Sequence, residues 1–180
     1  NSFCSIRYNT LNNTLSYIEN SSAVVLDETV LIYDAELAAL GGGLGNYNGA
    51  SATLSRHGGA NVQDIFSGSG NLSFTNGNVI LSGVTVGTVI NGNGTLTISF
   101  NNNATQTAVN QTLSAVAYSN TSDTPPASVQ INWTFNDGNT GNQGTGGTLN
   151  TLGSTTVNIS AVNDAPVLIT PIQDQNNIAG

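Results

Sequence analysis

The sequence has almost no basic side chains. Its 180 residues contain two arginines, Arg7 and Arg56, and no lysine, against ten acidic residues, for a formal net charge of −8. A chain with so few cations does not neutralise a phosphate backbone, which excludes nucleic acid as a partner. The same imbalance disfavours binding to anionic membrane surfaces.

Residues that carry common catalytic chemistry are also scarce. Cys4 is the single cysteine and His57 the single histidine. One cysteine forms no internal disulfide, and zinc sites need His or Cys clusters. No Gly-x-Ser-x-Gly elbow occurs, and the Gly-Gly-Gly run at residues 41–43 lacks the Lys-Ser/Thr of a phosphate-binding loop. We therefore expect a protein that is not an enzyme.

Long apolar runs are missing, since no stretch approaches the ~20 residues of a membrane-spanning helix. Charged residues make up 7% of the chain and hydrophobic residues 38%, so the surface is built from Asn, Thr, Ser and Gly. This composition is typical of exported proteins, and we expect an extracellular location. The chain begins at Asn1 rather than Met, which indicates a processed chain or an excerpt of a longer one.

Apolar residues recur with a period of two, which predicts β-strands. The clearest case alternates Val129, Ile131, Trp133 and Phe135 with polar residues. The same alternation occurs over residues 96–100 and 157–161, and Asn-Gly and Asp-Gly pairs between such segments favour tight hairpins. The pattern predicts an all-β protein, an antiparallel β-sandwich.

Other segments interrupt this pattern. Val109, Leu113 and Val116 lie at i, i+4 and i+7, which predicts one short helix covering an edge or end of the sandwich. Residues 138–153 are rich in Gly, Asn and Thr and predict a long surface loop. Residues 163–166, Asn-Asp-Ala-Pro, end the last strand and begin a linker.

Acidic residues concentrate in one part of the chain. Residues 19–36 contain five of the ten acids and no base: Glu19, Asp27, Glu28, Asp34 and Glu36. Unpaired carboxylates repel unless a cation intervenes, and Ca²⁺ takes roughly six to eight oxygen ligands. We expect Asp27 and Glu28 to serve a turn and Asp64, elsewhere, to make a structural hydrogen bond.

The position of Asp34 and Glu36 suggests a calcium site. The first and last strands of an immunoglobulin-type sandwich run roughly parallel, so a first strand over residues 22–33 would carry both acids to the end where the chain exits at Asp164. Glu19 would then lie at the opposite end, unless the chain reverses at residues 27–29. The alternative is that Asp34 and Glu36 are solvated surface acids.

Several segments together resemble one family. Residues 161–166, Ala-Val-Asn-Asp-Ala-Pro, resemble the signature of the bacterial cadherin-like tandem repeats of large surface adhesins. Further segments that resemble such a repeat are residues 17–20, 24–27, 33–37, 115–120 and 133–139. The resemblance covers about residues 15–166, although residues 1–14 contain no preceding Asn-Asp-Ala-Pro linker. The tail from Pro166 resembles the start of a dystroglycan-type cadherin-like or immunoglobulin-like module.

The resemblance implies an antiparallel Greek-key β-sandwich of the cadherin or immunoglobulin type, Ca²⁺ at the junctions between repeats, and an extracellular stalk or adhesive role. Its acidic positions match Glu19, Asp34, Glu36 and Asp164. It divides the chain into an N-terminal extension or end of a preceding module (1–14), the repeat (15–165), and a linker with the first strand of a next module or a tail (166–180). The implied partners are neighbouring repeats or copies of the same protein.

Two other functions remain open from the sequence. The chain would be a filament or surface-layer subunit if residues 6–15 or 167–172 added as strands to a neighbour's sheet edge. It would be a module that binds cell-surface glycans if a concave site exposed an aromatic side chain such as that of Tyr47.

Overall fold

The computed structural model describes residues 4–7, 14–139 and 147–169. The strands are β1 (Cys4–Arg7), β2 (Thr14–Ile18), β3 (Val24–Val25), β4 (Leu31–Asp34), β5 (Ser51–Arg56), β6 (Asp64–Gly68), β7 (Leu72–Thr75), β8 (Asn78–Leu81), β9 (Val84–Gly92), β10 (Thr95–Phe100), β11 (Val116–Asn120), β12 (Ser128–Asn136) and β13 (Asn150–Ser160). The helices are α1 (Ala35–Ala39) and α2 (Gln106–Leu113), and a 3₁₀ turn covers Gly41–Gly43.

These strands form an all-β sandwich, as predicted. The large sheet has the order β2-β13-β12-β5-β10-β9-β8-β7, the small sheet β3-β11-β6, and β1 pairs with β4 alone. Aromatic rings join the two layers: Tyr17 of the large sheet lies edge-on to Tyr118 of the small sheet, with ring centroids 6.0 Å apart, and Tyr118 also contacts Phe66. The core therefore lies between the large and small sheets.

The alternation predicted for β12 is confirmed. Val129, Ile131, Trp133 and Phe135 are buried, whereas the residues between them face outward or lie half-buried. The buried indole Nε1 of Trp133 donates to Thr155 Oγ1 at 3.1 Å, so its one polar atom is satisfied. The alternation of apolar and polar residues thus predicted both the position of this strand and which of its side chains enter the core.

The helix and loop predictions need correction. The predicted helix exists as α2, capped by Thr105 Oγ1, which accepts from Ala108 N at 3.2 Å. Val116, however, begins β11 and pairs with Gly68, because strand pairing with β6 replaces the helical pattern after Ser114. The predicted loop is too long: β13 already begins at Asn150, opposite Asn136. Residues 140–146 of that loop lie outside the described residues.

Helix α1 was not predicted, and both α1 and α2 are short. Neither is long and apolar enough to cross a membrane, and the described part of the chain holds no helix that is.

The two ends of the sandwich are distinct. At the entry end, β1 begins with Cys4 opposite Asp34, and β13 begins beside the last residue of β12. At the exit end, β2 and β13 finish together, because they run parallel with Ile18 opposite Ser160. Since β13 has 11 residues, roughly 35 Å separates the two ends.

Candidate functional site

At the exit end, Glu19 hydrogen-bonds both the end of β13 and the linker that follows it. It follows β2 directly, its side chain is 3% exposed, and its backbone N donates to Ser160 O at 3.0 Å. Its carboxylate Oε2 accepts from Val162 N at 2.7 Å. The last residue of the strand ladder and the first part of the linker are therefore both bonded to Glu19.

The other oxygen of Glu19 lacks a partner. Oε1 is buried and has no hydrogen-bond donor among the described residues. A carboxylate oxygen removed from water without a donor is costly, and a cation would satisfy it. Asp164 lies two residues beyond Val162 on the exposed linker. The structure thus brings two of the predicted site residues, Glu19 and Asp164, to one end.

Asp34 has a different local role, at the entry end. Its Oδ1 accepts from Glu36 N at 3.0 Å and from Leu37 N at 2.8 Å, which makes it the N-cap of α1. Glu36 lies in the first turn, where a negative charge is favourable. The Asp-x-Glu spacing is therefore first explained by helix capping, a signal that the sequence already contained.

Burial raises the pKa of Asp34. The side chain is 1% exposed, and the nearby carboxylates of Asp137 and Glu36 raise its pKa further, while the hydrogen bonds from Leu37 N and Glu36 N oppose the rise. Asp137 is equally buried, and its Oδ1 accepts from Asn139 N and Leu149 N. The entry end thus carries Asp137 as a further acid, which the sequence marked only as part of an Asp-Gly turn.

The expectation that Asp34 and Glu36 meet Asp164 within one module is wrong. The chain reverses at residues 27–29, where Asp27 Oδ1 accepts from Thr29 N at 2.8 Å, so residues 22–33 are not one strand. The strand that runs parallel to β13 is β2, and it carries Glu19 to the exit end instead. In residues 4–7, 14–139 and 147–169, no three His, Cys, Asp or Glu side chains are grouped to hold a metal.

The capping role of Asp34 predicts a contrast between two substitutions. Asp34→Ala removes the cap and should lower the free energy of unfolding by about 1 kcal/mol. Asp34→Asn keeps a capping oxygen and removes a buried charge, so at pH 7 in calcium-free buffer it should be at least as stable as the parent.

The pH dependence of that contrast follows from the raised pKa. The Asp34 carboxyl keeps its proton to higher pH in the folded protein than in the unfolded chain. At neutral pH its buried charge therefore lowers the free energy of unfolding, and this loss of stability disappears as the pH falls and the carboxyl is protonated. The difference between Asp34→Asn and the parent should shrink as the pH approaches the ordinary value of 3.8. Urea unfolding from pH 7 to pH 4 measures it, and a difference that does not change with pH contradicts the assignment.

An ionic network around the buried Asp64 joins the two sheets. Arg56 Nε and Nη2 donate to Asp64 Oδ2 and Oδ1 at 2.8 and 2.6 Å. Tyr118 Oη and Asn120 Nδ2 also donate to Asp64 Oδ1, at 2.7 and 3.0 Å. Burial and the bond to Asp64 raise the pKa of Tyr118. The structural hydrogen bonding predicted for Asp64 is confirmed, and its partners were not foreseen.

The aromatic residue named for glycan binding is not on the surface. Tyr47 is 0% exposed, its ring packs against Phe135, and its hydroxyl donates to Gln106 Oε1. Tyr47 therefore does not supply the exposed aromatic side chain that the glycan-binding alternative requires, because the ring fills the core beside β12.

Comparisons with protein-family models, curated proteins and solved structures found no match for this chain.

Proposed function

We propose that this chain is a non-enzymatic structural repeat of an extracellular surface protein, in which Ca²⁺ stiffens the junctions between modules. The observation that carries the proposal is the path of the chain. It enters β1 beside Asp34 at one end and leaves β13 beside Glu19 at the other. A domain with this path adds its length to a head-to-tail array of neighbouring repeats or copies.

The acids at the two ends would serve two successive junctions. At the exit, Glu19 Oε1 and the Asp164 carboxylate would bind Ca²⁺, and carbonyls, water or the following module would complete its oxygen ligands. At the entry, Asp34 and Glu36 would complete the site of the preceding module. In this proposal Asp164 shares a junction with Glu19, and Asp34 and Glu36 serve the other junction.

The bound ion would supply charge neutralisation. With a net charge of −8 on each chain, placing the exit end of one module against the entry end of the next brings carboxylates together. A divalent cation converts this repulsion into a bridge, so the junction is stiff with calcium and flexible without it. The low Lys and Glu content supports the proposed extracellular location.

A second candidate is favoured by an exposed apolar run after Pro166. Val167, Leu168 and Ile169 are 82%, 70% and 93% exposed. Consecutive exposed aliphatic residues are suited to pairing with a sheet edge. In that case the chain is a filament or surface-layer subunit that exchanges strands with its neighbours.

Calcium should stabilise the parent protein through Glu19. Against EDTA, a calcium concentration ten times the Kd should add about 1.4 kcal/mol to the free energy of unfolding, because the ion binds a carboxylate oxygen that is otherwise unsatisfied. Glu19→Gln and Asp164→Asn should each lose most of this gain. The control Glu28→Gln, an exposed acid in another turn, should keep it.

Thermal melting measures the stability, and small-angle X-ray scattering measures the solution shape, each with calcium and with EDTA. Unchanged melting temperature and unchanged solution shape in the parent protein would contradict the proposal. Oligomers whose size increases with protein concentration and is unchanged by EDTA would support strand exchange instead.

A further inference from the structure

The first and last strands of the large sheet lie side by side in parallel. Thr14 of β2 is opposite Thr156 of β13, and the register continues to Ile18 opposite Ser160. The chain therefore joins this ladder at Thr14, at one of its ends, and leaves it after Ser160, at the other. Any tension passed along the chain pulls these two strands in opposite directions along their own axes.

We infer that β2 and β13 form a mechanical clamp, in which tension on the chain loads the whole ladder in shear. In shear, the backbone hydrogen bonds must yield together, whereas pulling strands apart sideways breaks them one after another. The inference rests on the proposed function for the origin of the tension. The strand geometry itself does not depend on calcium or on a neighbouring module.

Contacts at the loaded end extend the clamp beyond the strands. Glu19 N bonds Ser160 O, and Glu19 Oε2 accepts from Val162 N, so the linker is held past the end of β13. Tyr17 anchors β2 in the core, since it is 2% exposed and packs edge-on against Tyr118. Sliding β2 along β13 would have to remove this ring from the core.

The ladder between β2 and β13 is the point where rupture should begin. On its other side, β13 pairs with β12 from Ser128 opposite Asn158 to Asn136 opposite Asn150, a longer ladder than the one with β2. Upstream, β1 pairs with β4 over Cys4 to Arg7. Tension applied before Cys4 reaches β1 first, so a handle placed at Thr14 isolates the clamp.

Single-molecule pulling in two directions tests the inference on the whole chain. In a Cys4→Ser background, Thr14→Cys with Ser160→Cys loads the ladder in shear. Gly92→Cys with Ser160→Cys pulls obliquely across the sheet and lifts β13 from its end. Thr14, Gly92 and Ser160 are exposed, and a Cβ at Gly92 meets nothing within 4 Å. At one loading rate, the shear rupture force should exceed the oblique force several-fold.

Two kinds of variant separate the clamp from general stability. Adjacent strand residues direct their N–H groups to opposite sides, so the backbone N–H of only one of Leu15 and Ser16 points towards β13. Proline at that position removes the bond, and proline at the other does not. One of these two substitutions should lower the shear force towards the oblique value. Val86→Ala, buried in β9 at 1% exposure, should lower the melting temperature and leave the shear force unchanged.

Equal forces in the two directions would overturn the clamp, as would a shear force that falls with Val86→Ala as much as with proline. Neither result bears on calcium binding. An absence of any calcium effect would overturn the proposed junction and leave the force comparison intact.

Discussion

Replacing Asp64 by alanine should lower the free energy of unfolding by about 3–5 kcal/mol, because it leaves the Arg56 guanidinium without its buried partner. Asp64 has 0% side-chain exposure and Arg56 18%. The substitution also removes the acceptor of the Tyr118 hydroxyl and of the Asn120 amide. Four donor groups, two from Arg56 of β5 and two from β11, bond to this one carboxylate of β6, so the contact between the sheets should weaken.

The double substitution Arg56→Met with Asp64→Leu is the matched control. It removes both charges and fills the space with apolar groups, so it should lose much less stability than Asp64→Ala. Urea unfolding measures both. Trypsin gives a second readout, since the parent chain has Arg56 bonded inside β5 and Asp64→Ala should expose it to cleavage. A loss below about 1 kcal/mol, as in a surface pair, would contradict the buried network.

Gly94→Ala should destabilise the protein far more than Gly77→Ala, although both glycines have φ of +75°. An added Cβ at Gly94 would lie 1.9 Å from Asn61 O and 2.4 Å from Asn61 C, which are backbone atoms with little freedom to move. At Gly77 a Cβ would meet nothing within 4 Å. The pair separates a steric clash from the conformational cost of a left-handed backbone.

The expected magnitudes follow from that separation. Gly77→Ala should cost about 1–2 kcal/mol, the penalty for an L-residue in the left-handed region. Gly94→Ala should cost about 4 kcal/mol or more, because the β9–β10 hairpin must move away from Asn61. Chemical unfolding of both variants compares them directly. Equal losses would mean that the hairpin does not approach Asn61 as closely as the structure has it.

The fold class and the local course of many strands follow from the pattern of apolar and polar residues. Alternation in β12, from Val129 to Phe135, already specifies which side chains enter the core, because a strand presents its residues to opposite faces with a period of two. The N-cap at Asp34 was equally local and could have been found from an Asp followed by an acidic first turn. Such features depend on neighbours a few residues apart.

The grouping of the acids at the two ends of the molecule does not follow from the local sequence. Whether Asp34 or Glu19 lies near Asp164 depends on which strand pairs with β13, and that pairing joins residues more than a hundred positions apart. The turn at residues 27–29 changes the direction of the chain and so moves Asp34 to the entry end. The partners of Asp64 likewise come from different strands. Pairing between distant strands has no periodic signature in the sequence, because it is fixed by the packing of the whole core.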